Sequence, residues 1–462
     1  MSKLPRLMIS STRGKSGKTV ISLGIMIGLK ELGLKVQSFK VGPDFIDPSY
    51  HELITGVPSR NLDCVMFGRE TVLRSFVKHA SGAEISIIEG VFGLYDSPDG
   101  LTEYGSTAEA AKVIACPVVL VVDAERANRS LLAMIRGFRT FDTVVKIKGL
   151  ILNNVGTERQ TRKIEAAFRT VMPNIEVLGS VPRSLSVEDA FGYRHLGLVH
   201  TAEREGDREK VKRVARAVAE HLNLERIRDV ANDTEDLMPP EPEERARNTF
   251  DVTVGVIRDK VFSFYYPENI EYLETHAKRV HYFDTSVDSD LPDLDLLYLS
   301  GGFPEVYAAQ LEENIGLMES IRARHGAGMQ IYAECGGLMY LAKSLIDTEG
   351  KPHEMIGLID GVVRMEKKPV GHGYVTLETA ASNPLTQGKI QVIGHEFHHS
   401  RLILEESPTF AFNVRRGYGL DGRNEGIMKT RLLAMYTHLH VLHNPNLFDA
   451  LLTAAARPAT LN

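Results

Sequence analysis

Residues 10–19 carry side chains and a backbone pattern suited to binding phosphate. They read Ser-Ser-Thr-Arg-Gly-Lys-Ser-Gly-Lys-Thr and separate a short apolar run (7–9) from a helix-like run (20–32). A strand, a glycine-rich loop and a helix in this order present backbone N–H groups and a positive dipole end to an anion. A turn-rich connection without a ligand is the alternative. We predict a nucleotide site, and the residues assigned to the nucleotide are Arg13, Gly14, Lys15, Ser16, Gly17, Lys18 and Thr19.

Four acidic residues follow the ends of strand-like runs in the same half of the chain. Asp44 and Asp47 lie in one Gly/Pro-bounded loop, Glu89 directly follows a short apolar strand, and Asp96 lies on the loop after it. Ligands of open parallel sheets bind at this edge, although aspartate also favours turns for local reasons. We predict that Thr19, Asp44 and Glu89 hold Mg²⁺, and that Asp44, Asp47 and Asp96 face the substrate.

A cysteine between a strand and a helix marks a second centre of chemistry. Cys335 lies in Glu-Cys-Gly-Gly after the strand-like run 329–333. This is the geometry of a nucleophile elbow, and a helix N-terminus favours a thiolate. Paired glycines after another strand can turn N–H groups toward an oxyanion, so Gly302 and Gly336 are the predicted oxyanion hole.

The thiol needs a base, and the sequence offers two histidines. His438 and His440 alternate along a strand-like run, so both are predicted on one face and the choice stays open. The histidine-rich run 394–399 could hold zinc, but its spacing matches no zinc signature, and substrate contact or strand packing is favoured. Cys64 and Cys116 are interpreted as structural.

The elements that must position these residues alternate between strand and helix. Apolar strand-like runs at 117–123, 148–153 and 175–181 indicate a doubly wound α/β domain. Residues 207–224 read as one charged amphipathic helix, and the acidic, proline-rich stretch 232–250 reads as a linker. The predicted domains are residues 1–231 and 251–455.

Composition limits the classes of partner. The 462 residues carry a net charge of −6, which argues against a nucleic-acid or anionic membrane surface. The apolar runs are shorter than the roughly 20 residues needed to span a bilayer. Three cysteines indicate a reducing compartment without disulfides, and the expected location is the cytoplasm.

The motifs, taken in order, resemble the cobyrinic acid a,c-diamide synthase family, ATP-dependent amidotransferases of corrinoid and related tetrapyrrole biosynthesis. The likeness covers nearly the whole chain and is specific because many motifs match in order. The matching segments are Phe-Lys-Val-Gly-Pro-Asp-Phe-Ile-Asp-Pro (39–48), Arg-Asn-Leu-Asp (60–63), Glu-Gly-Val (89–91), Gly-Ser-Thr-Ala-Glu (105–109), Arg-His-Leu-Gly-Leu (194–198), Phe-Ser-Phe-Tyr-Tyr-Pro-Glu-Asn (262–269), Tyr-Ala-Glu-Cys-Gly-Gly-Leu-Met-Tyr (332–340), Gly-His-Glu-Phe-His (394–398) and Tyr-Thr-His-Leu-His (436–440).

The resemblance implies an N-terminal P-loop synthetase domain similar to dethiobiotin synthetase. It also implies a C-terminal class I glutaminase domain with a flavodoxin-like sheet. It selects His438 as the base and implies a Cys–His pair without a third, acidic member. The implied substrates are ATP with Mg²⁺, L-glutamine and a tetrapyrrole, and the implied assembly is a homodimer.

The implied reaction activates a carboxylate as an acyl phosphate at the site of Asp44, Asp47 and Asp96. Ammonia released from glutamine by Cys335 then forms the amide, at the a and c side chains. Residues 13–16 and Gly192-Tyr193 depart from the usual family pattern, so the macrocycle stays open between cobyrinate, nickel-sirohydrochlorin and sirohaem. The other hypotheses are a partition-type switch ATPase, a carboxylate-activating enzyme with a degenerate second domain, and a pure glutaminase.

Overall fold

A computed structural model of the chain describes residues 3–185, 193–194, 197–198, 200–238, 248–380 and 390–457. The chain divides into two compact units, Met1–Glu243 and Glu244–Asn462. Part of the predicted linker (239–247), Gly192, and His195 and Leu196 of the 194–198 motif lie outside the described residues. Among the helices of the described residues, none is both long and apolar enough to cross a membrane.

The first unit is built on a seven-stranded parallel sheet. Its strands are β1 (Arg6–Ser11), β2 (Val36–Val41), β3 (Arg60–Leu62), β4 (Ile85–Glu89), β5 (Val118–Asp123), β6 (Ile147–Val155) and β7 (Glu176–Pro182). The order across the sheet is β3-β2-β4-β1-β5-β6-β7. The inner strands are buried on both faces, as a parallel sheet covered by helices requires. The prediction of a doubly wound α/β unit is confirmed.

Helices connect these strands, and a short ribbon follows them. The helices are α1 (Lys18–Glu31), α2 (Ile46–Thr55), α3 (Cys64–Ala80), α4 (Thr107–Val113), α5 (Ser130–Phe141), α6 (Glu158–Val171), α7 (Arg208–Ala219) and α8 (Leu224–Asn232). A 3-10 helix spans Thr201–Asp207, and β8 (Tyr193–Arg194) pairs with β9 (Gly197–Leu198).

The single helix predicted over residues 207–224 is wrong. The chain leaves helix after α7, and Leu222 forms an isolated bridge with Gly179 beside β7. The Asn223 side chain then accepts the Arg226 N–H and caps a new helix, α8. A side-chain cap inside an amphipathic run favours a helix start, and the charge pattern alone did not reveal it.

The second unit contains a nine-stranded mixed sheet and a separate four-stranded sheet. The strands are β10 (Phe250–Ile257), β11 (Ala277–Phe283), β12 (Leu296–Leu299), β13 (Gln330–Glu334), β14 (Ala342–Ile346), β15 (Pro352–Glu354), β16 (Ile359–Met365), β17 (Gly371–Thr379), β18 (Gln391–His398), β19 (Ser400–Leu404), β20 (Thr409–Arg416), β21 (Asn424–Lys429) and β22 (Leu432–Met435). The helices are α9 (Pro267–His276), α10 (Ala308–Glu313), α11 (Ile315–Gly326), α12 (Gly336–Leu341) and α13 (Pro445–Ala456).

The large sheet runs β11-β10-β12-β13-β22-β21-β20-β17-β18, and the small one β15-β14-β16-β19. The five strands from β11 to β22 are parallel, and the strands beyond β22 pair antiparallel. The parallel part is the predicted flavodoxin-like sheet. Because parallel strands end at one edge, the segments after β12, β13 and β22 bring Gly301, Cys335 and His438 to the same edge.

Candidate active sites

The phosphate-binding loop of the first unit joins β1 to α1. Gly17 has φ +86° at the start of α1, and a Cβ there would lie 2.3 Å from Nδ2 of Asn153. That Asn153 amide donates to the Ser16 carbonyl at 3.0 Å, so it fixes the turn. The first N–H groups of α1 have no partner within the helix, and they are available to an anion. Arg13 is largely exposed and pairs with Asp123.

Lys18 reaches back over this loop. Its Nζ is buried and donates to Ser11 Oγ at 3.1 Å and to the Phe92 carbonyl. Burial, and then the nearby Lys40 ammonium, lower the pKa of Lys18 to about 8. A phosphate placed beside this amine would favour its charged form, so the lysine is suited to gain its full charge as the nucleotide binds.

Carboxylates converge on Thr19 from two strand ends. Thr19 Oγ1 donates to Glu89 Oε1 at 2.7 Å and lies 3.4 Å from Asp47 Oδ1. Lys40 Nζ lies between the acids, 3.2 Å from Glu89 and 3.7 Å from Asp44, and it pairs with Asp47. Burial would lower the pKa of Lys40, but the Asp47, Glu89 and Asp44 charges outweigh it and raise the pKa. The ammonium therefore offsets part of the negative charge of the cluster.

Asp44 and Asp96 accept backbone hydrogen bonds within the segments that carry them. Asp44 Oδ1 accepts the N–H groups of Ile46 (2.8 Å) and Asp47 (3.1 Å) at the start of α2. Burial, and then the Asp47 charge, raise the pKa of Asp44 to about 7. Asp96 Oδ2 accepts the Gly93 N–H at 2.8 Å. Of the four predicted acids, Asp47 and Glu89 are therefore the two that reach Thr19.

Sequence reasoning gave no role to two residues of this cluster, Lys40 and His51. His51 is fully buried, and its ring nitrogens lie 2.7 Å from Glu89 Oε2 and 3.1 Å from Ser59 Oγ. Burial would raise the pKa of Glu89, but Lys40 and His51 reverse that effect and lower it. The signals were present: His51 follows Asp47 by four residues on one helix, and Lys40 is a charge in a buried strand.

In the second unit, Cys335 occupies a strained turn between β13 and α12. Its φ of 45° and ψ of −102° are unfavourable for a residue with a Cβ and cost about 1–3 kcal/mol. Such an elbow presents the sulfur above the sheet edge, as the sequence predicts.

The expectation that the helix dipole favours a thiolate is wrong for this structure. Burial, and then the charge of Glu305, raise the pKa of the Cys335 thiol above its usual range. The Gly336 N–H at the start of α12 lowers the pKa of this thiol, but by less than burial raises it. The thiol is therefore neutral until a base removes its proton.

The two predicted oxyanion donors lie beside one another. A Cβ on Gly336 would be 3.1 Å from the Gly302 nitrogen, and one on Gly302 would be 1.8 Å from the Val261 carbonyl oxygen. A Cβ on Gly301 would be 2.5 Å from Cε1 of His438. These glycines permit the close approach that brings the N–H groups, the elbow and the histidine ring together.

The structure separates the two candidate histidines. The prediction that both lie on one face of a strand is wrong, because β22 ends at Met435 and His438 forms only an isolated bridge with His395. His438 Nδ1 lies 3.3 Å from Glu334 Oε2. His440 Nδ1 accepts the Leu442 N–H, and its ring packs on Tyr266 with centroids 4.4 Å apart. An acid therefore stands beside His438, where the resemblance implied none.

The histidine-rich run 394–399 packs in the same region. His395 Nδ1 lies 3.1 Å from the Tyr266 hydroxyl, and the His398 ring stacks on Tyr436 with centroids 3.8 Å apart. Throughout the described ranges, no three His, Cys, Asp or Glu side chains are grouped so that they could hold a metal ion.

A buried carboxylate anchors the loop that carries His438. Glu425 is fully buried and accepts the Tyr436 N–H at 3.2 Å and the Thr437 hydroxyl at 2.7 Å. Burial raises its pKa from 4.5 to about 7. Between these pH values the folded state binds a proton that the unfolded chain has released, so the free energy of unfolding falls as the pH rises.

We expect Glu425→Gln to remove this pH dependence. The unfolding free energy of the wild type, relative to the variant, should fall by on the order of 3 kcal/mol from pH 4.5 to 7. Urea denaturation of both proteins at several pH values measures this difference. Glu405→Gln, at an exposed ion pair with Lys343, is the control. Parallel pH curves for the wild type and Glu425→Gln would contradict the prediction.

Comparison with known proteins covers both units. Residues 7–196 match the CobQ/CobB/MinD/ParA nucleotide binding domain, and residues 253–446 match the CobB/CobQ-like glutamine amidotransferase domain. The chain is 43% identical to the cobyrinate a,c-diamide synthase of Archaeoglobus fulgidus over 96% of both chains. It is 41% identical to that of Magnetococcus marinus over 95% of this chain and 94% of the relative. It is 38% identical to that of Methanocaldococcus jannaschii over 96% of this chain and 97% of the relative.

Proposed function

The chain belongs to the cobyrinate a,c-diamide synthase family, and we propose that it amidates the a and c side-chain carboxylates of cobyrinate with ATP and glutamine. The family makes it a glutamine-hydrolysing ligase of cobalamin biosynthesis with ATP as co-substrate. The observation that carries the proposal is that one chain combines a phosphate loop beside carboxylates with a cysteine elbow and a histidine at one edge of a second sheet.

In the glutaminase half, the Cys335 sulfur attacks the glutamine amide carbon. His438 takes the thiol proton and passes it to the departing ammonia, and water then hydrolyses the thioester to glutamate. The N–H groups of Gly302 and Gly336 stabilise the oxyanion. The raised pKa of Cys335 supports this role for a base, since a neutral thiol needs one.

In the synthetase half, the γ-phosphoryl group of ATP moves to the substrate carboxylate and forms an acyl phosphate, which ammonia attacks to give the amide and phosphate. The loop of residues 13–19 and the Lys18 ammonium stabilise the phosphate charge. Asp44, Asp47 and Asp96 orient the substrate. Because like charges oppose the approach of a carboxylate to these acids, the neutralising contact of Lys40 with Asp47 supports the arrangement.

The donor chemistry around Thr19 fits Mg²⁺, which takes oxygen ligands from one or two carboxylates together with phosphates and water. Thr19 and Glu89 supply a hydroxyl and a carboxylate 2.7 Å apart, and Asp47 approaches them more closely than Asp44 does. Thr19 and Glu89, with Asp47 or Asp44, would hold the ion. When bound, it supplies charge that stabilises the transferring phosphoryl group.

The family resemblance supports a homodimer. Cys64, Cys116 and Cys335 are all unpaired, which supports a reducing compartment such as the cytoplasm.

The test of the macrocycle is mass spectrometry of the product. Purified protein with ATP, Mg²⁺ and glutamine is incubated with cobyrinate, nickel-sirohydrochlorin or sirohaem, and each reaction is repeated without ATP. We expect cobyrinate to gain two amides, each lowering the mass by about 1 Da, in the ATP-containing reaction. If another macrocycle is amidated and cobyrinate is not, that macrocycle is the substrate. ATP hydrolysis without amidation of any of them would contradict it.

A further inference from the structure

Glu334, the residue before the nucleophile, is fully buried and surrounded by hydrogen-bond donors. Oε1 accepts the Tyr332 hydroxyl at 2.6 Å and the Leu439 N–H at 3.2 Å. Oε2 lies 3.1 Å from the Ser300 hydroxyl, which also donates to the Phe264 carbonyl, and 3.3 Å from the Tyr298 hydroxyl. These hydrogen bonds hold the carboxylate of Glu334 in one orientation.

The tyrosines remain donors at neutral pH. Burial, and then the negative charge of Glu334, raise the pKa of Tyr298 and of Tyr332 well above the usual value. Both phenols therefore keep their protons. The hydrogen bonds to Glu334 fix its carboxylate so that Oε2 points at Nδ1 of His438, 3.3 Å away.

His395 lies on another side of the His438 ring, at 5.1 Å between centroids. Burial, and then the neighbouring His438 and His440, hold the pKa of His395 well below its usual value, so it is neutral. Cys335 is also neutral. Glu334 is the carboxylate whose oxygen lies beside Nδ1 of this imidazole.

We propose that Glu334 is the positioning acid of the glutaminase, supplied by the strand that carries the nucleophile instead of by the segment that carries the histidine. Its carboxylate accepts the Nδ1 hydrogen of His438, which directs Nε2 toward the thiol. As the sulfur–carbon bond forms, the thiol proton moves to Nε2, and the carboxylate stabilises the imidazolium. The proton then leaves with ammonia as the carbon–nitrogen bond breaks.

The Leu439 N–H contact adds a second constraint. Glu334 holds both the ring of His438 and the backbone next to it, so one side chain sets the position of the base relative to Cys335. The proposal rests on the proposed function of Cys335 and His438.

The experiment compares Glu334→Gln with Glu396→Gln, a matched change at another buried carboxylate, which accepts the Tyr418 and Gly419 N–H groups instead. We expect Glu334→Gln to lower kcat of glutamine hydrolysis by about 100-fold, with KM for glutamine changed by less than about threefold. The acid limb of the kcat/KM profile should move to lower pH by about one unit, because the imidazolium loses its counter-charge. Glu396→Gln should leave that limb in place.

Amidation with ammonium salts shows whether the first unit of each variant is intact, and urea denaturation shows whether the second unit, which carries the substitution, is folded. Glu334→Asp keeps the carboxylate, so it should recover part of the lost kcat and return the acid limb of the pH profile to its wild-type position. If Glu334→Gln does not fold, Glu334→Asp provides the test of the proposal. Equal losses in Glu334→Gln and Glu334→Asp without movement of the limb, or the same changes in Glu396→Gln, would overturn the proposal. Full glutamine hydrolysis by Cys335→Ala would instead overturn the proposed function.

Discussion

Replacing Cys335 with alanine should abolish glutamine-dependent amidation and leave ammonium-dependent amidation intact. In the proposed mechanism this sulfur forms the thioester, so we expect glutamine hydrolysis to fall by about 10,000-fold. The synthetase residues lie in the other unit and are unchanged. Ammonium salts at a pH high enough to supply free ammonia should therefore restore the amide product, measured by mass spectrometry.

The matched control is Cys116→Ala. Cys116 is also buried and unpaired, but it lies in the first unit, where its thiol donates to the Pro117 carbonyl. It should retain both activities. Loss of ammonium-dependent amidation in Cys335→Ala would show that the cysteine supports the synthetase reaction. Retained glutamine-dependent amidation would support the hypothesis of a degenerate second domain.

Replacing Lys18 with alanine should abolish amidation with either nitrogen source. Lys18 is the buried cation of the phosphate loop, and its amine lies against Ser11 and the Phe92 carbonyl. Charge stabilisation of a transferring phosphoryl group by one such residue contributes about 1,000-fold or more. We expect a loss of that size in ATP-dependent amidation, measured separately with glutamine and with ammonium.

Lys163→Ala, at an exposed position on α6, is the matched control and should behave as the wild type. Cys335 and His438 remain in the Lys18→Ala protein, so a thiol-directed glutamine analogue should still label it. Amidation by Lys18→Ala at the wild-type rate would contradict the nucleotide site. Loss of labelling together with amidation would show that the variant had damaged the second unit as well.

Features that depend on local order along the chain were predictable. The strand–loop–helix order around Lys18 is found in β1 and α1, and the strand–cysteine–helix order is found in β13 and α12. Apolar runs also predicted the parallel core of the first sheet, because buried parallel strands read as continuous apolar runs, whereas the parallel core of the second sheet was implied by the family resemblance.

Features that depend on distant residues were not predictable from spacing. Glu334 and His438 are 104 residues apart, and they meet because β13 and β22 are neighbours in the sheet. Helix α2 brings His51 to Glu89 across 38 residues in the same way. The protonation of Cys335 depends on how completely the fold excludes water, and a helix-dipole argument made from the sequence contains no measure of burial.

The buried, protonated state of Cys335 also bears on how the enzyme survives oxidants. Peroxides and alkylating agents react with thiolates, and a neutral thiol closed off from water offers them little. In the proposed mechanism the proton leaves when His438 takes it, so reactivity is confined to the moment when the acyl donor, glutamine, is in place. The Cys335 thiol should therefore react little with oxidants between turnovers, and oxidative damage to it should occur mainly during catalysis.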